Sequence, residues 1–366
     1  MYSKHTIAFL LICLFTFNSC NSDIDIQAEY DDIPVVYGLL NHLDDYHYIR
    51  VSKTFIGPGD AYEMAQIQDS LEYQNVIVQL QEINASGDIL RTIDFKDTIL
   101  TTKQKGTFSS PNQKLYFHAP FFEGKPDLDP QYSYKLLVDI DNGRKVAISE
   151  TKLIDGTLDA FSAYLSPSND IRFFRNEQFL STTMPLIIPN NATFGDMKMY
   201  FNYVDVYANG DVIARKLEYN LGEVRRSNNP NDNRAEVRIS GERFYELIAA
   251  QIPDIDDVPG LIRRIPGNPN ISNQTNRPIE FVFSAGSSEL MIYREVNSPS
   301  VQGFQEKPVY TNIENGLGIF ASRTVFRKYL DIDRFTAREL VYGVKSGTGA
   351  KGFCHYNDAN DSRYCN

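Results

Sequence analysis

Between Pro34 and Leu153, apolar residues recur at alternate positions in short runs broken by turn residues, the pattern of strands that bury one face. The runs are Val35–Leu40, Tyr46–Phe55, Asn75–Ile83, Ile89–Phe95, Lys114–His118, Tyr132–Ile140 and Lys145–Thr151. Asn84-Ala85-Ser86-Gly87 and Asp141-Asn142-Gly143 supply residues that tolerate positive φ, and so predict hairpins between the third and fourth and between the sixth and seventh runs. The spacing predicts a β-sandwich over 33–154. Asp155-Gly156, within Ile154–Thr157, predicts a domain boundary. Beyond it, Lys198–Tyr207 turns at Asn209-Gly210 into Val212–Tyr219, and Ile279–Phe283 turns through Ser284-Ala285-Gly286-Ser287 into Glu289–Val296. Helical spacing occurs once, in Glu242–Ile252, where Phe244, Leu247, Ile248 and Ile252 share a face expected to pack against a sheet, a partner-binding groove being the alternative, and Pro253 ends the run. Arg225–Asn233 and Pro253–Pro278 are rich in Asn, Pro, Gly and Asp and read as long exposed loops. The second unit, 157–345, is therefore expected to be an antiparallel β domain with one helix, followed by a tail over 346–366.

Seven strands is the immunoglobulin-like number. In the sixth, Leu128-Asp129-Pro130-Gln131-Tyr132-Ser133-Tyr134 followed by Val138 resembles the tyrosine corner of fibronectin type III and related sandwiches, with Tyr134 at the corner. That resemblance implies a hydroxyl capping upstream backbone, and it speaks to fold rather than function.

The first nineteen residues have the pattern of an export leader. Lys4 gives a positive start, Ile7–Phe17 is apolar apart from one Thr, and Asn18-Ser19-Cys20 follows. The apolar run is shorter than the roughly 20 residues a spanning helix needs. A cysteine directly behind such a run resembles the lipobox of bacterial lipoproteins, with Phe17 where that pattern usually has Leu. The resemblance implies cleavage before Cys20, diacylation of its sulfur and acylation of its new amino end. Several acyl chains anchor firmly at about 0.8 kcal/mol per buried methylene, whereas one does not. Residues 20–32, opening Asn21-Ser22-Asp23-Ile24-Asp25, then read as a polar tether, and acidic residues in this position resemble those that accompany export to the outer face in Bacteroidota. A plain secretory signal is the alternative.

Composition narrows the function classes. Hydrophobic residues make up 42% and charged residues 23%, which suits a packed globular chain, and 22 Tyr and 23 Phe favour strands. The net charge of −11 repels phosphate backbones, so nucleic acid is not an expected partner. Cys354 and Cys365 are the cysteines left for the folded part; in an exported chain they are expected to pair, the alternative being a metal held with His355.

Other candidate chemistry is weak. His42 and His47 flank Asp44 and Asp45, but their odd spacing sends strand side chains to opposite faces. Gly347-Thr348-Gly349-Ala350-Lys351-Gly352 has the letters of a dinucleotide loop without the helix that would follow, and reads as a flexible loop. Asp254, Asp256 and Asp257, or Asp139 and Asp141, lack the full ligand series calcium takes and read as solvated turn acids. Residues 321–352 carry seven basic and three acidic side chains, read as a solvated face, with contact to an acidic partner or lipopolysaccharide as the alternative. Ser284–Ser288 reads as a turn rather than a nucleophile elbow. Asp69-Ser70-Leu71 and Asp97-Thr98-Ile99 resemble Bacteroidota O-glycosylation triplets. The chain has no Trp, which weakens the case for a glycan platform, although Tyr can serve. No catalytic residue, cofactor site or metal site is assigned.

The lipobox, Ile33-Pro34-Val35-Val36-Tyr37-Gly38-Leu39-Leu40, the strand Tyr48-Ile49-Arg50-Val51-Ser52-Lys53-Thr54 and Asn312-Ile313-Glu314-Asn315-Gly316-Leu317-Gly318-Ile319-Phe320 together resemble a family of Bacteroidota lipoproteins with a domain of unknown function. Members often stand beside TonB-dependent receptors. The resemblance implies a non-enzymatic binding module at the outer membrane or cell surface, accessory to a transport or assembly complex. A glycan-binding accessory protein is the second expectation and an enzyme with an unrecognised site the third.

Overall fold

The computed structural model describes residues 32–54, 60–119, 128–156, 170–227, 232–268, 274–298, 309–355 and 362–365. The protein is mainly β, with an immunoglobulin/fibronectin-like sandwich followed by a second β-rich unit. The sandwich strands are β1 (Pro34–Leu40), β2 (His47–Lys53), β3 (Val76–Ile83), β4 (Ile89–Leu100), β5 (Gln113–His118), β6 (Ser133–Ile140) and β7 (Lys145–Lys152). One sheet runs β1-β2-β5 and the other β3-β6-β7, all antiparallel. β4 serves both, pairing with β3 up to Phe95 and with β5 from Lys96. Alternation does the sorting: Val36, Ile49, Val51, Val78, Leu80, Leu136 and Val138 all point into one core. Two short helices, α1 (Ala61–Ala65) and α2 (Gln68–Leu71), lie between β2 and β3.

The second unit contains β8 (Phe174–Arg175), β9 (Gln178–Phe179), β10 (Ser181–Ile187), β11 (Phe194–Tyr207), β12 (Val212–Arg225), β13 (Arg234–Ser240), β14 (Leu261–Pro266), β15 (Ile279–Gly286) and β16 (Leu317–Leu330). Its sheet runs β12-β11-β15-β16, with β14 beside the far end of β11. The expected helix is α3 (Gly241–Gln251), capped by Ser240 accepting from Arg243 N–H, and it buries Phe244, Tyr245 and Ile248 in a core with Phe201, Phe281 and residues of the antiparallel β10–β13 pair.

Three expectations for this unit fail. It has two further helices, α4 (Ser288–Asn297) and α5 (Arg334–Tyr342), where one helix was expected. The second arm of the hairpin expected at Ser284–Ser287 is α4, because Gly286 ends β15 and Ser287 is already the helix N-cap. α5 carries ordinary boundary signals, Asp333 accepting from Thr336 N–H and Gly343 in the left-handed region at φ 59°. Pro253–Pro278 is not one exposed loop either. Leu261–Pro266 pairs with β11, and Arg264 inside it is fully buried, donating to Asp205 Oδ1 at 2.9 Å and to the carbonyls of Pro253 and Lys351.

The two units share β16. Its first half pairs parallel with β1, from Val35↔Leu317 to Leu40↔Ser322, and its second half pairs antiparallel with β15. Phe320 and Ile313 lie in the sandwich core, and Glu314 bridges to Ile148 of β7. A cut at 154–157 would therefore leave the sandwich without a strand and two core side chains. Gly318 permits the close approach: its φ is +108°, and a Cβ there would meet the Val36 carbonyl oxygen at 2.0 Å.

Two outcomes follow. A fragment covering 33–154 loses the burial of Phe320 and Ile313, about 1.5 to 3 kcal/mol each, as well as the β16 ladder, and is expected not to give a cooperative melt by itself. Gly318→Ala is expected to cost more than about 2 kcal/mol in chemical denaturation of the whole chain, because strain and a backbone clash combine.

Candidate binding surface

Tyr134 makes the corner its spacing implied. Its Oη accepts from Asp129 N–H at 2.7 Å and donates to Glu82 Oε2 at 2.8 Å, and Arg91 pairs with the same carboxylate at 3.0 Å. Burial, with the Glu82 carboxylate beside it, holds the hydroxyl protonated far above its usual range. This is a structural clasp. Cys354 and Cys365 are joined as a disulfide with Cα atoms 5.1 Å apart, so neither sulfur is available for the metal site weighed with His355. Cys20 lies outside the described residues.

Several other sequence candidates are spent on structure. Gly347–Gly352 is packed rather than flexible: Thr348 is buried with its hydroxyl on the Leu340 carbonyl, and Lys351 reaches Asp254 at 2.7 Å. Asp139 accepts from Gly143 N–H and Asp141 from Arg144 in the β6–β7 turn. In the basic stretch, Arg323 pairs with Asp44, Arg327 with Glu280 and Lys351 with Asp254, so several of its charges are met within the chain. Among the described residues, no three His, Cys, Asp or Glu side chains converge as metal ligands. No described helix is long and apolar enough to cross a membrane.

The unusual surface lies on the outer side of β1-β2-β5. An antiparallel sheet with one face on the core ordinarily turns polar residues outward. Here the outward positions include Tyr37 on β1, Tyr48 on β2 and Phe117 on β5, with Tyr46 just before β2. Register makes them neighbours: Tyr48 pairs directly with Phe117, and Tyr37 with Arg50. Ring centres are 6.3 Å apart for Tyr46 and Tyr48, with planes 28° apart, and 6.4 Å for Tyr48 and Phe117, with planes 31° apart. Tyr293 of α4 meets Tyr37 edge to face at 6.4 Å. Tyr37, Tyr46 and Tyr48 are 37%, 52% and 40% exposed.

Polar groups border the row. Asn41 Nδ2 donates to Asp44 Oδ1 at 2.7 Å, and Asp44 pairs with Arg323 of β16 at 3.6 Å. The arrangement leaves three tyrosine side chains partly open to solvent beside the Asp44–Arg323 pair. Composition alone concealed it, because Tyr and Phe in strands satisfy β propensity; the available signal was apolar residues on both phases of β1 and β2.

His42 sits behind this rim, buried, with Nδ1 lacking a hydrogen-bond partner. Burial lowers its pKa, opposed by Asp155, Asp129 and Asp44. His42 is therefore neutral in the fold, and the unfolded chain takes up the proton first as pH falls. The stabilisation it confers is present above the unfolded value of about 6.5 and declines as pH drops below it. Urea titrations between pH 7.5 and 5 are expected to show a steeper loss of stability for the native chain than for His42→Gln. For the corner, Tyr134→Phe is expected to cost about 1 to 3 kcal/mol, since it leaves the Asp129 amide without its acceptor and takes from Glu82 one of its two partners, Arg91 remaining.

No family model matches the chain, and no curated protein matches it. Solved structures that it resembles include the C-terminal globular domain of an oligosaccharyltransferase from Pyrococcus abyssi, at 8% identity and a TM-score of 0.19, covering 56% of this chain and 38% of that one. Another is a trypsin-activated alpha-2-macroglobulin from Escherichia coli, at 8% identity and a TM-score of 0.17, covering 82% of this chain and 16% of that one. The chain thus spans well under half the length of either, and likeness at this level assigns no function.

Proposed function

We propose that this chain is a lipid-anchored, non-enzymatic binding module of the bacterial outer membrane, held through Cys20 and accessory to a transport or assembly complex such as a TonB-dependent receptor. Its binding surface is the aromatic row on β1, β2 and β5. The observation that carries the reading is that row, in which Tyr37, Tyr46 and Tyr48 stay exposed where the strand period calls for polar side chains. The leader pattern ending at Cys20 supports export and anchoring, and the disulfide suits an oxidising compartment.

Two measurements test it. Cys20→Ser is expected to abolish acyl labelling and release the protein from sedimented membranes; equal retention would end the anchoring claim. A photo-crosslinking residue at position 48 is expected to trap adducts in intact cells, while the same group at the exposed Val344 does not. Equal adducts at both positions, or none at either, would remove the row as the binding surface.

A further inference from the structure

We infer that the cleft between residues 170–175 and the start of α5 binds the phosphate group of a monoester, held by Arg172, Arg175 and Arg334. No residue of the aromatic row lines this cleft, so the site stands apart from the binding surface proposed above.

The walls of the cleft are fixed by backbone. Ile171 N–H donates to the Asp331 carbonyl at 2.8 Å, and the Ile171 carbonyl accepts from Asp333 N–H at 3.0 Å, which lays this segment parallel to residues 331–333. Phe173 N–H then donates to the buried Thr336 hydroxyl at 2.9 Å, tying the approach to β8 onto α5. Asn176 and Glu177, with φ of 49° and 59°, form the two-residue turn into β9 and hold Arg175 at its near corner, opposite Gln178. Between these walls lies a cleft of about 510 Å³ with the three arginines in its lining.

The chemistry of the lining singles out an anion. Arg175 and Arg334 share one aromatic ring, their guanidinium carbons lying 5.5 and 4.7 Å from the centre of Phe335. A ring holds a guanidinium through the charge and leaves its N–H groups to bond elsewhere. Among the described residues, Arg172, Arg175 and Arg334 make no ion pair. The acids of the cleft are engaged differently: Asp333 is buried and accepts from Thr336 N–H at 2.9 Å, and Asp331 pairs with Arg277 at 3.4 Å, leaving Asp170. With Arg277 counted, four guanidiniums meet three carboxylates, a positive site in a chain of net charge −11. Arg334 also belongs to the basic stretch 321–352, in which Arg323, Arg327 and Lys351 are met by acids of the chain.

The number of arginines separates phosphate from carboxylate. A carboxylate is satisfied by one guanidinium fork. Three guanidiniums brought from three places offer more donors than it can accept. A phosphate monoester carries about −1.5 to −2 charge at pH 7 and three strong acceptor oxygens, enough for one on each arginine.

The test is isothermal titration calorimetry of the whole chain, at constant ionic strength, with inorganic phosphate, glycerol 3-phosphate and water-soluble dihexanoyl phosphatidic acid. Saturable binding of at least one is expected, with acetate bound far more weakly. Arg175→Gln and Arg334→Gln are each expected to weaken binding at least about tenfold, the factor that the loss of one hydrogen bond to a charged group produces. Arg338→Gln removes the same charge from the same helix, but Arg338 stacks on Tyr342 outside the cleft, and binding is expected to be unchanged. Thermal melts of the variants establish that these exposed substitutions leave the fold intact. Tighter binding of phosphatidic acid than of the other two identifies a lipid headgroup as the source of the phosphate; equal or weaker binding identifies a soluble ester. The inference is overturned if none of the three binds, if acetate binds equally, if Arg175→Gln and Arg334→Gln both bind as the native chain does, or if Arg338→Gln weakens binding as much as they do.

Discussion

The parallel pairing of β1 with the first half of β16 is the constraint on which the rest of the structure depends. It joins positions far apart in sequence: Ser322 Oγ donates to the Leu40 carbonyl across 282 residues. A 14-residue strand spans about 45 Å, so β16 acts as a common spine, one half completing the sandwich and the other half closing the second sheet. Loop-closure entropy must be met before such a pair forms, which places docking of the two cores among the late and slow steps of folding. Gly318 and Phe320 show how closely the joint is fitted. The glycine lets the backbones approach, and two residues on, the phenylalanine enters a space kept open by Gly38, where a Cβ would meet Ile49 at 2.5 Å and Phe320 at 3.0 Å.

The sandwich was legible from sequence because each of its strands has one buried face, and a period of two records that directly. The seven expected runs correspond to β1 to β7, with differences at their ends, and the tyrosine corner followed from the spacing of Asp129 and Tyr134. The pairing partner was not legible. Alternation tells which residues face the core but not which distant strand lies alongside, and nothing in Leu317–Leu330 distinguishes a strand of one sheet from a strand shared by two. The missed helices have a different cause. In Ser288–Asn297 no residue is fully buried, so the helix has no strong apolar stripe, and Met291, Ile292, Tyr293 and Val296 read equally well as strand formers. Leu261–Pro266 was obscured by an arginine in its middle, because Arg264 is buried only by virtue of Asp205 and two carbonyls brought from elsewhere.

The aromatic row shows why composition underdetermines a surface. Twenty-two tyrosines argue for strands wherever they occur, and the sequence alone does not divide them into those that pack and those that face outward. Tyr116 and Tyr134 are buried, while Tyr37, Tyr46 and Tyr48 project from the opposite side of the same sandwich. The division appears only when register is known, since Tyr48 pairs with Phe117 in one step and Ile49 with Tyr116 in the next.

The same register ties the surface to the spine. Tyr37 sits on β1 opposite Ile319 of β16 on one side and Arg50 of β2 on the other, and the ring that closes on it, Tyr293, comes from α4 of the second unit. Arg323, which steadies the Asp44 turn next to Tyr46, is the residue that follows the last β1 partner along β16. The row is therefore complete only when the two cores are docked. Any ligand that spans it binds the docked chain better than a chain whose spine has opened, and by mass action holds the two units together. The joint that completes this face is thus the one that assembles the fold, the six residue pairs between β1 and β16.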